Sequence, residues 1–168
     1  MAIKYIRKIT KSKWNNQIQD LDDTLKNIIP ADTIVECLKT KGNTLSIWEV
    51  EDTEDAVLAL AAVSQSISLI DVITFEKDFF DNSGIVIENK IVEENPVIDL
   101  QKKHYDIVNL NYDTLGEVAK HIANKVKDNE SSIIRYTVGD IKKIIKKAVA
   151  ADRVDISKLS PSIQASIK

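Results

Sequence analysis

Residues 44–63 read TLSIWEVEDTEDAVLALAAV, and this stretch decides the fold. Its first seven residues are rich in β-branched and aromatic side chains, which predicts a strand. Asp52 or Thr53 caps the helix that follows, and this helix is apolar on all sides over residues 56–63. A helix of that kind belongs in the protein interior. We therefore predict a buried helix at 53–64 that packs on a sheet.

A predicted β-hairpin follows this helix. Residues 67–75 and 85–92 both have the composition of strands. The residues Asp-Asn-Ser-Gly at 81–84 lie between them and are typical of turns. A strand, a turn and a second strand predict a hairpin. Residues 105–112 alternate apolar and polar side chains, which indicates one more half-buried strand.

Two amphipathic helices are predicted in the second half of the chain. Thr114 and Glu117 match a capping box and precede an apolar stripe of helical spacing, so a helix is expected at 114–127. A second stripe of isoleucine, alanine and valine predicts a helix at 139–151.

These elements define the expected fold class. A chain of 168 residues with 43% hydrophobic residues is long enough to bury an ordinary core. Strands alternate with helices in one region, and a hairpin lies beside them. We predict a single globular domain over residues 1–168, of the α+β class, with a mixed sheet of about four to five strands and helices packed on it.

Composition excludes several classes of protein. Cys37 is the only cysteine, so the chain has no intrachain disulfide and no cysteine-based zinc site, and this thiol is expected to be a small buried hydrophobe. The longest apolar run has eight residues, whereas a membrane helix needs roughly 20. The first ten residues lack the apolar core of a secretory signal. We expect a cytoplasmic protein without a membrane partner.

Sequence motifs of known catalytic or cofactor sites are missing. The chain has no phosphate-binding glycine loop, no nucleophile elbow and no zinc-protease motif. His104 stands near Asp106, but the end of a surface strand explains this pair better than acid–base chemistry does. His121 borders the apolar stripe of its helix. No catalytic residue, metal or cofactor is predicted, and an enzyme is less favoured than a binding protein.

One pattern nevertheless suggests a metal-dependent nuclease as an alternative. Glu88 and Lys90 form a Glu-x-Lys pair at the end of an apolar segment, and Asp71 precedes them on a predicted strand. Carboxylates of this kind hold Mg²⁺ in nucleases, and the lysine stabilises charge at the attacked phosphate. Composition alone predicts about three acid-x-Lys triplets, however, and the chain has two.

The charge distribution is more informative than any motif. Residues 49–99 contain 13 acidic residues and two lysines, a net charge of −11. Residues 1–48 have a net charge of +3, and residues 100–168 have +5. The chain therefore has an acidic middle between two basic ends.

This acidic middle predicts a binding surface for another protein, one with a basic face. Complementary charge raises association rates and selects partners, as in inhibitor, immunity and accessory proteins. The densest group of carboxylates is the predicted partner-binding set: Glu49, Glu51, Asp52, Glu54 and Asp55.

A second alternative is a nucleic-acid-binding module that uses the predicted helix at 139–151. One face of this helix is basic, and Arg135 and Arg153 stand at its two ends. The overall sequence pI of about 5.5 disfavours this reading. The lysines concerned are Lys142, Lys143, Lys146 and Lys147.

Overall fold

The structure, a computed structural model, describes residues 3–14 and 29–168. In these ranges six strands form one sheet. The strands are β1 (Lys4–Ile9), β2 (Leu45–Val50), β3 (Ile70–Glu76), β4 (Ile87–Asn89), β5 (His104–Ile107) and β6 (Ile133–Tyr136). Their order across the sheet is β4-β5-β2-β1-β3-β6, and every neighbouring pair is antiparallel.

Helices cover both faces of this sheet. Within residues 29–168, those of seven residues or more are α1 (Ala31–Cys37), α2 (Thr53–Ala62), α3 (Lys77–Ser83), α4 (Tyr112–Asp128), α5 (Val138–Ala150) and α6 (Pro161–Ile167). Single 3₁₀ turns occur at Ile98–Leu100, Glu130–Ser132 and Ile156–Lys158. Buried residues of α1, α3 and α4 pack on one face, and those of α2, α5 and α6 pack on the other. The result is three layers, as expected for a sheet that is apolar on both sides.

The position of β1 explains the sheet topology. β1 pairs with β2 on one side and with β3 on the other, antiparallel to both. β2 and β3 therefore run in the same direction but do not touch, and α2 crosses over β1 to connect them. The α+β class is confirmed. The sheet has six strands rather than four to five, and it is antiparallel rather than mixed because β1 separates the two strands that run parallel.

The predicted helices are present with small shifts at their ends. The side chain of Asp52 caps α2 by accepting a hydrogen bond of 3.0 Å from the backbone N–H of Glu54. The first helix of the second half, α4, begins two residues before the predicted start. Its capping box consists of Asn111 and Thr114 rather than Thr114 and Glu117, because Asn111 supplies the oxygen that the free N–H groups need.

The predicted hairpin is wrong. Residues 77–83 form helix α3, and Gly84, at a positive φ of 69°, ends it. Turn-forming residues and a glycine at a helix C-terminus have the same composition, so the sequence did not separate the two structures. Strand β4 consequently pairs with β5 and lies at an edge of the sheet.

The buried helix α2 is the centre of one layer. Its apolar pattern predicts that Leu58 and Leu60 are both buried. Leu58 is buried, with 1% of its surface exposed, whereas Leu60 is only half-buried at the edge of the core. An all-apolar helix can still leave one side chain at the border of the layer, because the helices next to it do not surround it completely.

This difference gives a test of the packing. Replacing Leu58→Ala should lower the free energy of unfolding by about 2–5 kcal/mol, because it leaves a cavity in a closed core. Leu60→Ala removes the same atoms at the border of the core and should cost clearly less. Urea unfolding of the two variants and the wild type measures both effects. Equal costs would show that α2 does not pack as described.

Candidate functional site

Four of the five carboxylates predicted to bind a partner line one pocket, which we call the acidic pocket. It lies where β2 ends and α2 begins, beside the 3₁₀ turn at Ile98–Leu100, and has a volume of about 340 Å³. The 3₁₀ turn contributes a fifth carboxylate. The acidic residues of the pocket are Glu49, Glu51, Asp52, Asp55 and Asp99, and the other lining residues are Ile3, Val50, Leu100 and Lys103.

Glu49 is held in place by two neighbours. Its carboxylate accepts a hydrogen bond of 3.2 Å from the Tyr5 hydroxyl and one of 3.3 Å from the Lys103 ammonium group. Burial and the charge of Glu49 raise the pKa of Tyr5 to about 12, so this hydroxyl stays a donor at every physiological pH. These two hydrogen bonds fix the position of the Glu49 carboxylate in the wall of the pocket.

Arg153 fixes the opposite wall. One of its terminal nitrogens lies 2.8 Å from Asp55 Oδ1 and 2.7 Å from Asp99 Oδ2, and its Nε donates to the same Asp99 oxygen at 3.0 Å. One guanidinium therefore links α2 to the 3₁₀ turn. The backbone adds a further bond, since the N–H of Ile98 donates to the carbonyl oxygen of Arg153 at 3.0 Å.

Two carboxylates of the acidic pocket have no cationic partner in the part of the chain that the structure describes. Glu51 is exposed and makes no hydrogen bond or ion pair there, and Asp52 binds only the backbone N–H of Glu54. Lys103 and Arg153 are the two cations set against five carboxylates. The pocket thus has a net charge of −3.

The fifth predicted carboxylate, Glu54, lies elsewhere. Successive residues on a helix point about 100° apart, so Glu54 and Asp55 face different sides of α2. Glu54 Oε2 lies 3.9 Å from the ammonium group of Lys147 on α5. The predicted set of five is therefore a group of four with Glu54 outside it.

Ion pairs inside the fold neutralise much of the charge that is segregated along the sequence. The acidic middle and the basic C-terminal third are joined by ion pairs, and the residues of the middle that take part are Glu49, Glu54, Asp55, Asp71, Glu76 and Asp99. The carboxylates of Glu51 and Asp52 are what remains of the acidic segment in the pocket.

The three residues of the nuclease hypothesis do not form one site. Asp71 lies on β3 and Glu88 on β4, and β1, β2 and β5 separate these strands. At about 4.8 Å per strand the separation is roughly 19 Å. Lys90 Nζ lies 3.2 Å from Asp106 instead. Within residues 3–14 and 29–168, no three His, Cys, Asp or Glu side chains are grouped as metal ligands.

Asp71 has a structural role. Its carboxylate accepts two hydrogen bonds from Arg135, at 2.7 and 2.9 Å, and one of 2.7 Å from the backbone N–H of Lys11. Burial opposes ionisation of this group, but the hydrogen bonds outweigh burial and lower the pKa of Asp71. These hydrogen bonds connect Arg135 of β6 and the backbone of Lys11 to β3.

Among the described residues, neither histidine is hydrogen-bonded to a carboxylate or to a hydroxyl or thiol group. His104 is buried, not at an exposed strand end as predicted, and burial lowers its pKa despite the charge of Asp106. Its Nδ1 lies 3.2 Å from the carbonyl oxygen of Lys90 and must carry the proton that it donates, while Nε2 is 3.8 Å from Asp106, beyond hydrogen-bond distance. His121 is half-buried and stacks on Phe79, with ring centroids 4.0 Å apart.

The lysines of α5 satisfy only part of the nucleic-acid hypothesis. Lys143, Lys146 and Lys147 are exposed, whereas Lys142 is half-buried. The two arginines assigned to this face are not free, since Arg135 pairs with Asp71 and Arg153 with the acidic pocket.

Sequence reasoning missed the residues that complete the acidic pocket. Asp99 belongs to the acidic segment but lies 44 residues after Asp55, and Arg153 lies 98 residues after it. No local pattern marks either one. Tyr5 and Lys103 reach Glu49 through strand neighbours that only the sheet order reveals.

Comparison with protein-family models, with curated proteins and with solved structures gives no match for this chain. None of the helices in the described ranges is long and apolar enough to cross a membrane. The interpretation of the site therefore depends on its geometry and charge.

The environment of Asp71 predicts a pH-dependent stability. Asp71→Asn should lower the free energy of unfolding by about 1.5–3 kcal/mol at pH 7, because charged hydrogen bonds are lost. A carboxyl whose pKa is lowered on folding stabilises the protein above its unfolded pKa of about 3.9 and loses this effect as the pH falls through the folded pKa. The difference from wild type should therefore shrink from pH 7 to pH 3 in urea unfolding.

Asp81→Asn is the matched control, since Asp81 forms an exposed pair with Lys77 at 2.7 Å. Exposed pairs contribute little, so this variant should stay close to the wild type at both pH values. An Asp71→Asn effect of the same size at pH 3 and pH 7 would contradict the ionic interpretation.

Proposed function

We propose that this protein is a non-catalytic binding protein that receives a basic surface of another protein at the acidic pocket. The observation that carries the proposal is the convergence of Glu49, Glu51, Asp52 and Asp55 with Asp99 on one open pocket of net charge −3. In this role it acts in the cytoplasm as an inhibitor, immunity or accessory factor.

The shape of the pocket supports a lysine or arginine side chain as the group that enters it. Such a side chain has an apolar stem and a cationic end. Ile3, 47% exposed, and Leu100 supply apolar surface in the same pocket as the carboxylates. Glu51 and Asp52 are the carboxylates still available to a cation from outside.

The fixed carboxylates favour recognition by preorganisation. Arg153, Lys103 and Tyr5 hold three of the five acids before a partner arrives, so little side-chain entropy is lost there on binding. The unpaired charge steers a basic partner toward the pocket and acts chiefly on the association rate.

The test is a double variant, Glu51→Gln with Asp52→Asn. Asparagine caps a helix as well as aspartate does, so α2 should remain folded. Protein partners are captured from an extract of the source cells at low salt after nuclease treatment, and the purified partner is then measured by surface kinetics. Association should slow by about tenfold at low salt, with little change in dissociation, and the effect should fade at high salt.

The control is Glu93→Gln with Glu94→Gln, which removes the same charge from exposed residues that do not line the acidic pocket. This variant should associate nearly as fast as the wild type. Equal slowing in both double variants would mean that net charge, not the acidic pocket, governs binding, and would overturn the proposal.

A gel shift distinguishes the nucleic-acid alternative. If the exposed face of α5 bound duplex DNA, a shift would appear at low salt, and replacing Lys143, Lys146 and Lys147 by Gln would reduce the salt slope by about one per lost contact. We expect no shift at the lowest salt. A shift that the triple variant abolishes would favour the nucleic-acid module over the acidic pocket.

A further inference from the structure

Arg7 occupies a gap between two strands. The backbone pairing of β1 with β2 runs from Lys4 to Ile6 on the β1 side, and Arg7 is the next residue, where the pairing stops. Its guanidinium spans the gap. One terminal nitrogen donates to the carbonyl oxygen of Ser46 and the other to that of Cys37, both at 2.8 Å. Cys37 ends α1, so its carbonyl oxygen has the partial negative charge of a helix C-terminus.

The charge of Arg7 has no carboxylate partner among the described residues. Its two acceptors are neutral carbonyl groups, and its Nε–H is buried with no acceptor in the described part of the chain. Burial lowers the pKa of Arg7 to about 10, because no neighbouring anion compensates for the lost hydration. The other two arginines of the chain, Arg135 and Arg153, both pair with carboxylates.

Arg7 lines a pocket of about 260 Å³, which we call the Arg7 pocket. Lys8 and Thr10 form part of its rim, and both side chains are exposed and unbonded within the described ranges. The one carboxylate in its lining, Glu36, is already paired with Lys13 at 2.8 Å. The free charge of the pocket is thus positive.

Cavity size limits the ligand. At about 30 Å³ per water molecule, 260 Å³ corresponds to about nine waters, which is room for a phosphate or carboxylate group with a small organic remainder. Each terminal nitrogen of Arg7 has a second N–H besides the one that it donates to a carbonyl oxygen, and arginine N–H groups are strong donors to phosphate and carboxylate oxygens. A lysine and a hydroxyl in the lining add further donors.

We propose that the Arg7 pocket binds a small oxyanion, a phosphate or a carboxylate, with Arg7 as the main ligating residue and Lys8 and Thr10 as rim donors. The bound anion supplies the counter-charge that Arg7 does not receive from the described residues. This site is separate from the acidic pocket and takes ligands of the opposite charge.

Nitrogen-15 NMR of the wild-type protein tests the proposal directly. Inorganic phosphate and acetate are titrated separately at constant ionic strength, balanced with chloride. The Nε–Hε signal of Arg7 and the amide signals of residues 7–10 should shift with saturation, while those of residues 49–52 should not. Shifts with phosphate alone identify a phosphate ligand, and shifts with acetate identify a carboxylate. No saturable shift with either anion overturns the proposal.

Rim variants provide the second test. Lys8→Gln with Thr10→Val should weaken anion binding by about tenfold or more, because charged and neutral donors are lost without disturbing the core. Lys4→Gln is the matched control, since Lys4 is exposed on the same strand and does not line the pocket. Equal weakening in both would indicate unspecific attraction to positive charge and would overturn the site. Arg7→Met should abolish binding; if it does not fold, the rim variant decides.

Discussion

The central position of β1 is the constraint on which the rest of the structure depends. β1 pairs with β2 and β3 and is antiparallel to both, so the chain must carry α2 across β1 to reach β3. This crossing places the N-terminus of α2 directly after the end of β2, which creates the acidic pocket. The same pairing stops at Ile6, and the gap that follows contains Arg7.

Ion pairs connect parts of the chain that are distant in sequence. The acidic middle of the sequence meets cations from the basic C-terminal third, as in the pairs of Asp71 with Arg135 and Glu76 with Lys125. These ion pairs neutralise part of the net charge of −11 in residues 49–99, so the surface charge of this segment in the folded protein is smaller than the sequence alone suggests. Among the described residues, Glu51 and Asp52 are the carboxylates of this segment that stay without a cationic partner in the acidic pocket.

The parts of the fold that the sequence predicted are those specified by local patterns. The all-apolar run of α2 and the apolar stripes of α4 and α5 depend on residues within a few turns of each other, and these helices were placed correctly. The hairpin failed because residues 81–84 suit a helix C-terminus and a hairpin turn equally well, and the local sequence does not separate the two. Sheet order was not predictable, since it depends on contacts between strands far apart in sequence.

The candidate site likewise combines residues that a local pattern predicted with residues that only long-range contacts bring together. The local cluster of carboxylates in the sequence predicted four members of the acidic pocket. Glu54 lies outside the pocket because it faces another side of the helix. Asp99 and Arg153 complete the site through contacts between residues far apart in sequence. The unpaired charge of Arg7 was invisible in the sequence, because an arginine on a strand is equally compatible with a salt bridge. What distinguishes Arg7 is that no carboxylate among the described residues pairs with it, and only the fold can reveal this.

The two pockets lie toward opposite ends of the same strand, and their separation keeps their charges apart. On β2, Ser46 and Trp48 line the Arg7 pocket, whereas Glu49 and Val50 line the acidic pocket. The guanidinium of Arg7 donates to the carbonyl oxygens of Ser46 and Cys37, whereas the Glu49 carboxylate accepts from Tyr5 and Lys103, so the two charges bond to different groups. Because Arg7 and the carboxylates of Glu51 and Asp52 do not neutralise each other, they have no oppositely charged partner among the described residues. Each can then be satisfied by its own ligand.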